Sequence, residues 1–296
     1  MSEVITAQSL GNLRGDVPLY GVIGWPVAHS LSPAMQEAAF RACGLSARYL
    51  KIALAPEELA AGVEAMRRLP FAGWNCTIPH KNALFPLMDR VEASAEAIGG
   101  VNTVVNRDGT LEGHSTDGAG WSRAIREDFG VEVRDQRILL LGAGGAGRAI
   151  AHQAVREGCR SLVLVNRTLE TAHELARELD QAERVRVVAW ENGPLAGALD
   201  ATDLIVNASS VGLKAEDPPA LAGSLLRPDH LVYDTIYNPS PTGLLREAAR
   251  AGARTANGLS MLLHQGALSF EIWTGKEAPV EEMRQALAAE AKAHRV

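Results

Sequence analysis

The chain has 296 residues, 47% of them hydrophobic, and 35 acidic against 29 basic side chains leave a net charge of −6. That length suits two domains of ordinary size, each able to bury its own core. The acidic balance gives no electrostatic footprint for nucleic acid or anionic lipid, and no apolar run approaches the roughly 20 residues needed to span a bilayer, so a small molecule is the expected partner.

The N-terminal stretch MSEVITAQSLGNLRGDVPL lacks a basic region followed by an apolar block, so a cytoplasmic protein is expected. LYGVIG (19–24) reads as a buried strand. Ser32 and Pro33 then start a helix, the serine as N-cap and the proline in the first turn, and Gly44 closes it. RYLKIAL alternates as a strand, a helix runs from Pro56 to Leu69, and WNCTI is strand-like again. This βαβαβ order implies a mainly parallel sheet, with ligands at the carboxyl ends of its strands. Within GWNCTIPHKNAL, Lys81 follows such a strand end and precedes or opens a short helix, where a sheet of this type presents ligand-binding groups, although a lone lysine is ordinarily solvated surface. NTVVNRDGTLEG reads as two short strands about an Asp108-Gly109 turn, before polar HSTDGAG and a new helix at Trp121.

A second α/β series begins at Arg137. In RILLLGAGGAGRAI an apolar strand passes through Gly142, Ala143, Gly144, Gly145, Ala146 and Gly147 into a helix. The GxGxxG order meets three needs of a dinucleotide site: a tight turn, close approach of backbone to pyrophosphate, and close helix–strand packing behind a helix N-terminus. The next strand ends at Asn166, where NAD-binding folds commonly place an acid for the ribose hydroxyl. Arg167 and Thr168 follow instead and offer a guanidinium and a hydroxyl to a ribose phosphate, which favours NADP. Leu169, Ala172, Leu175, Ala176 and Leu179 then form one apolar stripe suited to core packing. Further strands are expected at VRVVA, LIVNAS and LVYDTI, a helix from Thr242 to Ala251, a long apolar helix after NGLS and a charged closing helix.

Cys43, Cys76 and Cys159 are odd in number and far apart, with no CxxC pair, and read as free thiols. His29, His80, His114 and His264 sit beside motifs without metal-ligand spacing, so no metal is expected.

Taken in order, GVIGWPVAHSLSP, NCTIPHK, GGVNTV, GHSTDGAG, GAGGAG, NRT, NASSVGL, YDTIYNPSPTGLL and NGLSMLLHQGALSFEIWTG resemble the shikimate dehydrogenase family along nearly the whole chain. The resemblance implies two α/β domains, an open substrate-binding domain (1–117) and a Rossmann-type NADP-binding domain (118–257). A helical segment (258–296) would return to the first, with the active site in a cleft between the domains. It implies substrate contacts from Ser30, Ser32, Thr77, Lys81, Asn102, Asp117, Tyr237 and Gln265, and it adds Gly258 to the cofactor set of residues 142–147 and 166–168. Lys81 and Asp117 would face each other across the substrate, with Lys81 as acid/base group for reduction of 3-dehydroshikimate by NADPH. Two serine hydroxyls beside a helix start also suit a ring carboxylate on chemical grounds, although Ser32 caps equally well without a substrate and Gln265 reads equally well as a satisfied buried amide. Ser115 stands where the family usually has asparagine and bears on the choice of ring substrate; Thr171 stands where NADP-specific members often carry a second base. Alternatives within reach are a paralogue acting on quinate or an aminoshikimate-like ring, and a catalytically silent NADP-binding sensor. No sequence feature separates a monomer from a homodimer.

Overall fold

The computed structural model describes residues 4–11, 13 and 16–293. Parts of the N-terminal stretch and the last three residues of the chain therefore lie outside the described residues. The chain divides into two compact units, Met1–Thr116 with Leu263–Val296, and Asp117–Leu262. No helix among the described residues is long and apolar enough to cross a membrane.

The first unit is built on seven strands: β1 (Val4–Thr6), β2 (Leu19–Gly24), β3 (Arg48–Ala53), β4 (Phe71–Cys76), β5 (Arg90–Val91), β6 (Thr103–Arg107) and β7 (Thr110–His114). Their order is β1-β3-β2-β4-β6-β7-β5, with β1, β3, β2 and β4 parallel and β6 antiparallel to both its neighbours. Asp108 and Gly109 take φ of 52° and 87°, the left-handed pair that a two-residue hairpin requires.

β3 does not alternate as expected: Tyr49, Leu50, Lys51 and Ile52 are all buried, because the strand lies between β1 and β2 with both faces covered. Leu50 and Ile52 join Ile23, Trp74 and Val104 in one core. On the other face Tyr49 meets Trp273, which also stacks on Tyr20, and Phe40 and Phe270 complete that aromatic layer. The helices Ser32–Ala42, Leu259–Thr274 and Val280–Ala293 supply this cover.

Ser32 is not the N-cap. Leu31 holds that position with a helical backbone (φ −90°, ψ −7°) and no side-chain cap bond. A serine caps only from an extended backbone, and here the helical conformation already reaches back to Leu31. Ser30 Oγ instead accepts the Ser32 N–H at 3.3 Å. The other end is as read: Gly44 has φ +65°, its N–H donates to Arg41 O and the Leu45 N–H to Phe40 O, which satisfies two orphan carbonyls.

The second unit holds six parallel strands, β8 (Arg137–Leu141), β9 (Ser161–Val165), β10 (Val185–Val188), β11 (Leu204–Asn207), β12 (Leu231–Asp234) and β13 (Arg254–Asn257), in the order β10-β9-β8-β11-β12-β13. Counted from β8 this is the 3-2-1-4-5-6 order of the dinucleotide-binding fold. The period-two rule is visible in its packing: Ile138, Leu140, Leu162, Leu164, Leu204 and Val206 enter one core, while Leu139, Leu141, Val163, Val165 and Ile205 enter the other.

The helix placed at Trp121 begins at Asp117 and runs to Phe129. Its opening Asp-Gly-Ala-Gly has loop composition, but Gly118 packs against Ala149 O of the helix Gly145–Arg156, so the helix starts where tertiary contact supports it. Leu169 is 43% exposed at the start of the helix Leu169–Leu179, and only Ala172, Leu175 and Leu179 of the stripe are buried. The edge strand β13 and the helix Asn192–Leu199 carry no clear pattern in the sequence: β13 is polar and incompletely buried, and Gly193, Pro194 and Gly197 erase the helix's periodic signal.

Candidate active site

Each glycine of the 142–147 turn answers a different constraint. Gly142 has φ +102°, and a methyl group there would lie 2.8 Å from the Ala208 carbonyl carbon beyond β11. Gly147 presses on Gly142 O, which brings the helix onto its strand. At Gly144 the backbone is extended (φ −78°, ψ −169°), and a methyl would meet no protein atom within 4 Å. Neither backbone strain nor internal packing explains that glycine. The space beside it lies at the start of a twelve-residue helix with no side-chain cap, so unsatisfied N–H groups and the helix dipole face it. Ala143 is buried, and Gly145 and Ala146 are half-buried. This cradle fits a pyrophosphate.

Asn166 explains the missing acid. Its Oδ1 accepts the Ala143 N–H at 3.2 Å, and its Nδ2 donates to Thr168 O at 2.9 Å, so the side chain ties the glycine turn to the next strand–helix corner. An aspartate could not make the second bond. Arg167 and Thr168 are exposed, and Thr168 is the N-cap of Leu169–Leu179 with no side-chain cap bond. Glu170 in the same first turn is held by Arg177 at 2.8 Å. Gly258 is buried hard against Thr235 O, a contact that any larger residue would break.

In the first unit two of the predicted residues, Asn102 and Gln265, join a buried polar network. Asn102 Nδ2 donates to Thr116 Oγ1 at 2.9 Å and to Gln265 Oε1 at 3.3 Å, and its Oδ1 accepts the Thr116 N–H at 2.8 Å. Gln265 is thus a hydrogen-bonded, buried amide on an apolar helix. Thr103 Oγ1 and Ser269 Oγ continue the network at 2.8 Å, and both meet Asn75 Nδ2, at 3.1 and 2.9 Å. Tyr49 donates to Asn75 Oδ1 at 2.7 Å. Burial holds the Tyr49 phenol well above its ordinary range, so it stays a donor. The chain of bonds thus runs from Tyr49 to Gln265 through side chains with rotamers fixed by their partners, the condition for a precise binding surface.

Lys81 opens the helix Lys81–Leu84 just beyond β4. Its carbonyl accepts the Val101 N–H at 2.9 Å, which seats it beside Asn102. His80, buried, hydrogen-bonds Leu54 O at 2.8 Å and fixes the loop between Thr77 and Lys81. Thr77 donates its N–H to Ile23 O and lies against Gly24, where a methyl would meet Thr77 Cγ2 at 2.5 Å. Ser115, half-buried, donates its N–H to Ser94 Oγ at 3.2 Å.

In the second unit Asp117 is buried at the head of its helix, and Tyr237 follows β12. The loop carrying Tyr237 is anchored by Asp234, a group sequence reasoning missed. Its carboxyl accepts from Thr242 Oγ1 at 2.7 Å, Asn207 Nδ2 at 3.0 Å and the Ile236 N–H at 3.1 Å, and burial raises its pKa. Burial likewise raises the Tyr237 phenol. Also missed were Tyr49, Thr103, Thr116 and Ser269. Thr103 and Thr116 each follow or precede a singled-out residue within GGVNTV and GHSTD, which is the one signal that was available. Among the described residues no cluster of His, Cys, Asp or Glu has the form of a metal site.

Three family descriptions match the chain in succession: the shikimate dehydrogenase substrate binding domain over residues 22–104, shikimate / quinate 5-dehydrogenase over 124–214, and the shikimate 5'-dehydrogenase C-terminal domain over 258–288. A relative from Methanopyrus kandleri, named shikimate dehydrogenase (NADP(+)), is 43% identical over 280 residues, covering 93% of this chain and 97% of its own. A crystal structure of a shikimate dehydrogenase in complex with NADP+ superposes with a TM-score of 0.87 at 37% identity, covering 94% of this chain and 97% of that one. The Thermus thermophilus enzyme, solved with NADP(H) and shikimate, gives 0.84 at 37% identity over 92% and 99%. With such agreement sustained from one end of the fold to the other, the chain belongs to the shikimate dehydrogenase family.

Proposed function

We propose that this protein catalyses the reversible, NADPH-dependent reduction of 3-dehydroshikimate to shikimate. The first unit would hold the ring acid and the second the dinucleotide. The observation that carries the reading is the pairing of an open, uncapped glycine turn at Gly144 with a pre-ordered hydroxyl and amide network from Tyr49 to Gln265. A polyhydroxylated acid needs that mixture of fixed donors and acceptors.

NADP is held in this reading by the turn 142–147, by Arg167 and Thr168 at the ribose phosphate, and by the close backbone at Gly258; when bound it supplies or accepts the hydride. Ser30 and Ser32 take the ring carboxylate, and Thr77, Asn102, Gln265 and Tyr237 the remaining polar groups. Lys81, as ammonium, stabilises the alkoxide that develops at the ketone oxygen and gives it a proton; as amine it removes that proton in the oxidation. Asp117 accepts hydrogen bonds from the substrate hydroxyls and keeps the ammonium oriented.

Quinate is the second reading, because the match over residues 124–214 covers shikimate and quinate enzymes alike. The test is NADP reduction with shikimate and then with quinate. A specificity constant for shikimate well above that for quinate is expected; turnover of quinate alone, or of neither, overturns the assignment.

A further inference from the structure

Lys51 is 4% exposed in the middle of β3, and no step described above uses it. By the alternation of the strand it shares the face of Tyr49, the side chain that donates to Asn75 in the polar network. Its Nζ donates to Ala28 O at 2.7 Å, in the loop that leads from β2 through Ser30 to Ser32. Desolvation favours the neutral amine, and the charge of Glu290, on the helix Val280–Ala293, favours the ammonium. The Lys51 Nζ is thus held beneath the serine loop, at a carbonyl two residues from Ser30, a reach of roughly 7 Å along the chain.

The ligand proposed above is an anion, yet the side chains that would take its carboxylate, Ser30 and Ser32, are neutral. We infer that Lys51 is a positioning and specificity residue: its charge and its bond to Ala28 O prepare the serine loop for a carboxylate, without touching the substrate. The inference rests on the proposed function. At an effective dielectric of about 20, opposite charges roughly 8 Å apart favour binding by about thirtyfold. The opposing Glu290 and screening by salt reduce the expected factor to about tenfold.

The measurement compares shikimate with its methyl ester, which keeps the ring and loses the charge. Lys51→Met retains the apolar stem and should raise KM for shikimate about tenfold, with KM for the ester changed less than twofold, turnover near that of the parent, and NADP affinity unchanged. Measured on the acid side of neutrality, where Lys51 keeps its proton, Glu290→Gln should act in the opposite sense, lowering KM for shikimate two- to threefold and sparing the ester. Equal losses on acid and ester would reduce Lys51 to a structural pin and overturn the inference, as would no loss on either. Should Lys51→Met fail to fold, an unchanged acid-to-ester ratio in Glu290→Gln overturns it alone. A parent enzyme inactive on shikimate would overturn the functional reading and this inference with it; one active on shikimate with insensitive variants overturns only the inference.

Discussion

Gly118 is the second residue of the helix that Asp117 opens, and it is where that helix touches the one rising from the glycine turn. A methyl group at Gly118 would lie 2.6 Å from Ala149 O and 2.9 Å from Gln153 Cβ, whereas ordinary contact begins near 3.4 Å. The nearest atom is backbone within a helix, so no side chain can swing away, and the helices must part by about 0.8 Å, the difference between those distances. Overpacking of this kind costs about 1–3 kcal/mol. At roughly 2–4 °C per kcal/mol for a domain of this size, Gly118→Ala should lower Tm by about 2–12 °C. The displaced group is the neighbour of Asp117, and a misplacement near 1 Å can cost about a hundredfold in rate, so turnover should fall by roughly ten- to a hundredfold. Calorimetry, steady-state kinetics and titration of NADP separate these effects; NADP affinity should hold within about threefold, because the turn itself keeps its shape. Gly144→Ala is the contrasting variant. Its backbone suits alanine and its surroundings are open, so Tm should stay within about 2 °C, while NADP binding weakens by at least about tenfold as the methyl fills the cradle. Unchanged Tm and turnover in Gly118→Ala would show that the helices part freely and that this contact does not position Asp117.

Lys81→Ala should lower turnover by about 10² to 10⁴, the range for a lost general acid/base, with KM for shikimate changing far less; near-normal turnover in a folded variant that binds NADP rejects the mechanism. Arg167→Ala should weaken NADP much more than NAD in paired titrations, and equal weakening would remove Arg167 from the ribose phosphate. Ser115→Asn should change the ratio of shikimate to quinate specificity constants, and an unchanged ratio reduces Ser115 to a loop contact. Asp203 is held below the ordinary carboxylate range, first by its hydrogen bonds from Arg137. It therefore adds stability above its unfolded pKa near 4, which is lost as pH falls through the lower folded value. Asp203→Asn should flatten the acid side of the Tm profile, and a parallel profile counts against that linkage.

The local chemistry of this protein is written in short runs of its sequence. The strand–turn–helix around Gly142–Gly147, the Asp108-Gly109 hairpin and the Gly44 helix stop follow from glycine's access to positive φ and from the apolar runs beside it, which neighbours in sequence alone dictate. Lys81 at a strand end and Arg167 in place of an acid were legible for the same reason. Distant pairings were not. Ser32 reads as a cap until the helical backbone at Leu31 is known, and Leu169 reads as core until its surface is seen. The network joining Tyr49, Asn75, Thr103, Ser269, Asn102 and Gln265 contains single bonds between residues as far as 194 positions apart, as from Asn75 to Ser269. The placement of Lys51 under Ala28 likewise depends on β2 and β3 lying side by side. Hydrogen bonds of that kind form only after a sheet has set the register of its strands and helices have closed over its face. A linear pattern of apolar and polar residues specifies which face is buried, and only the packed fold decides which polar groups meet there.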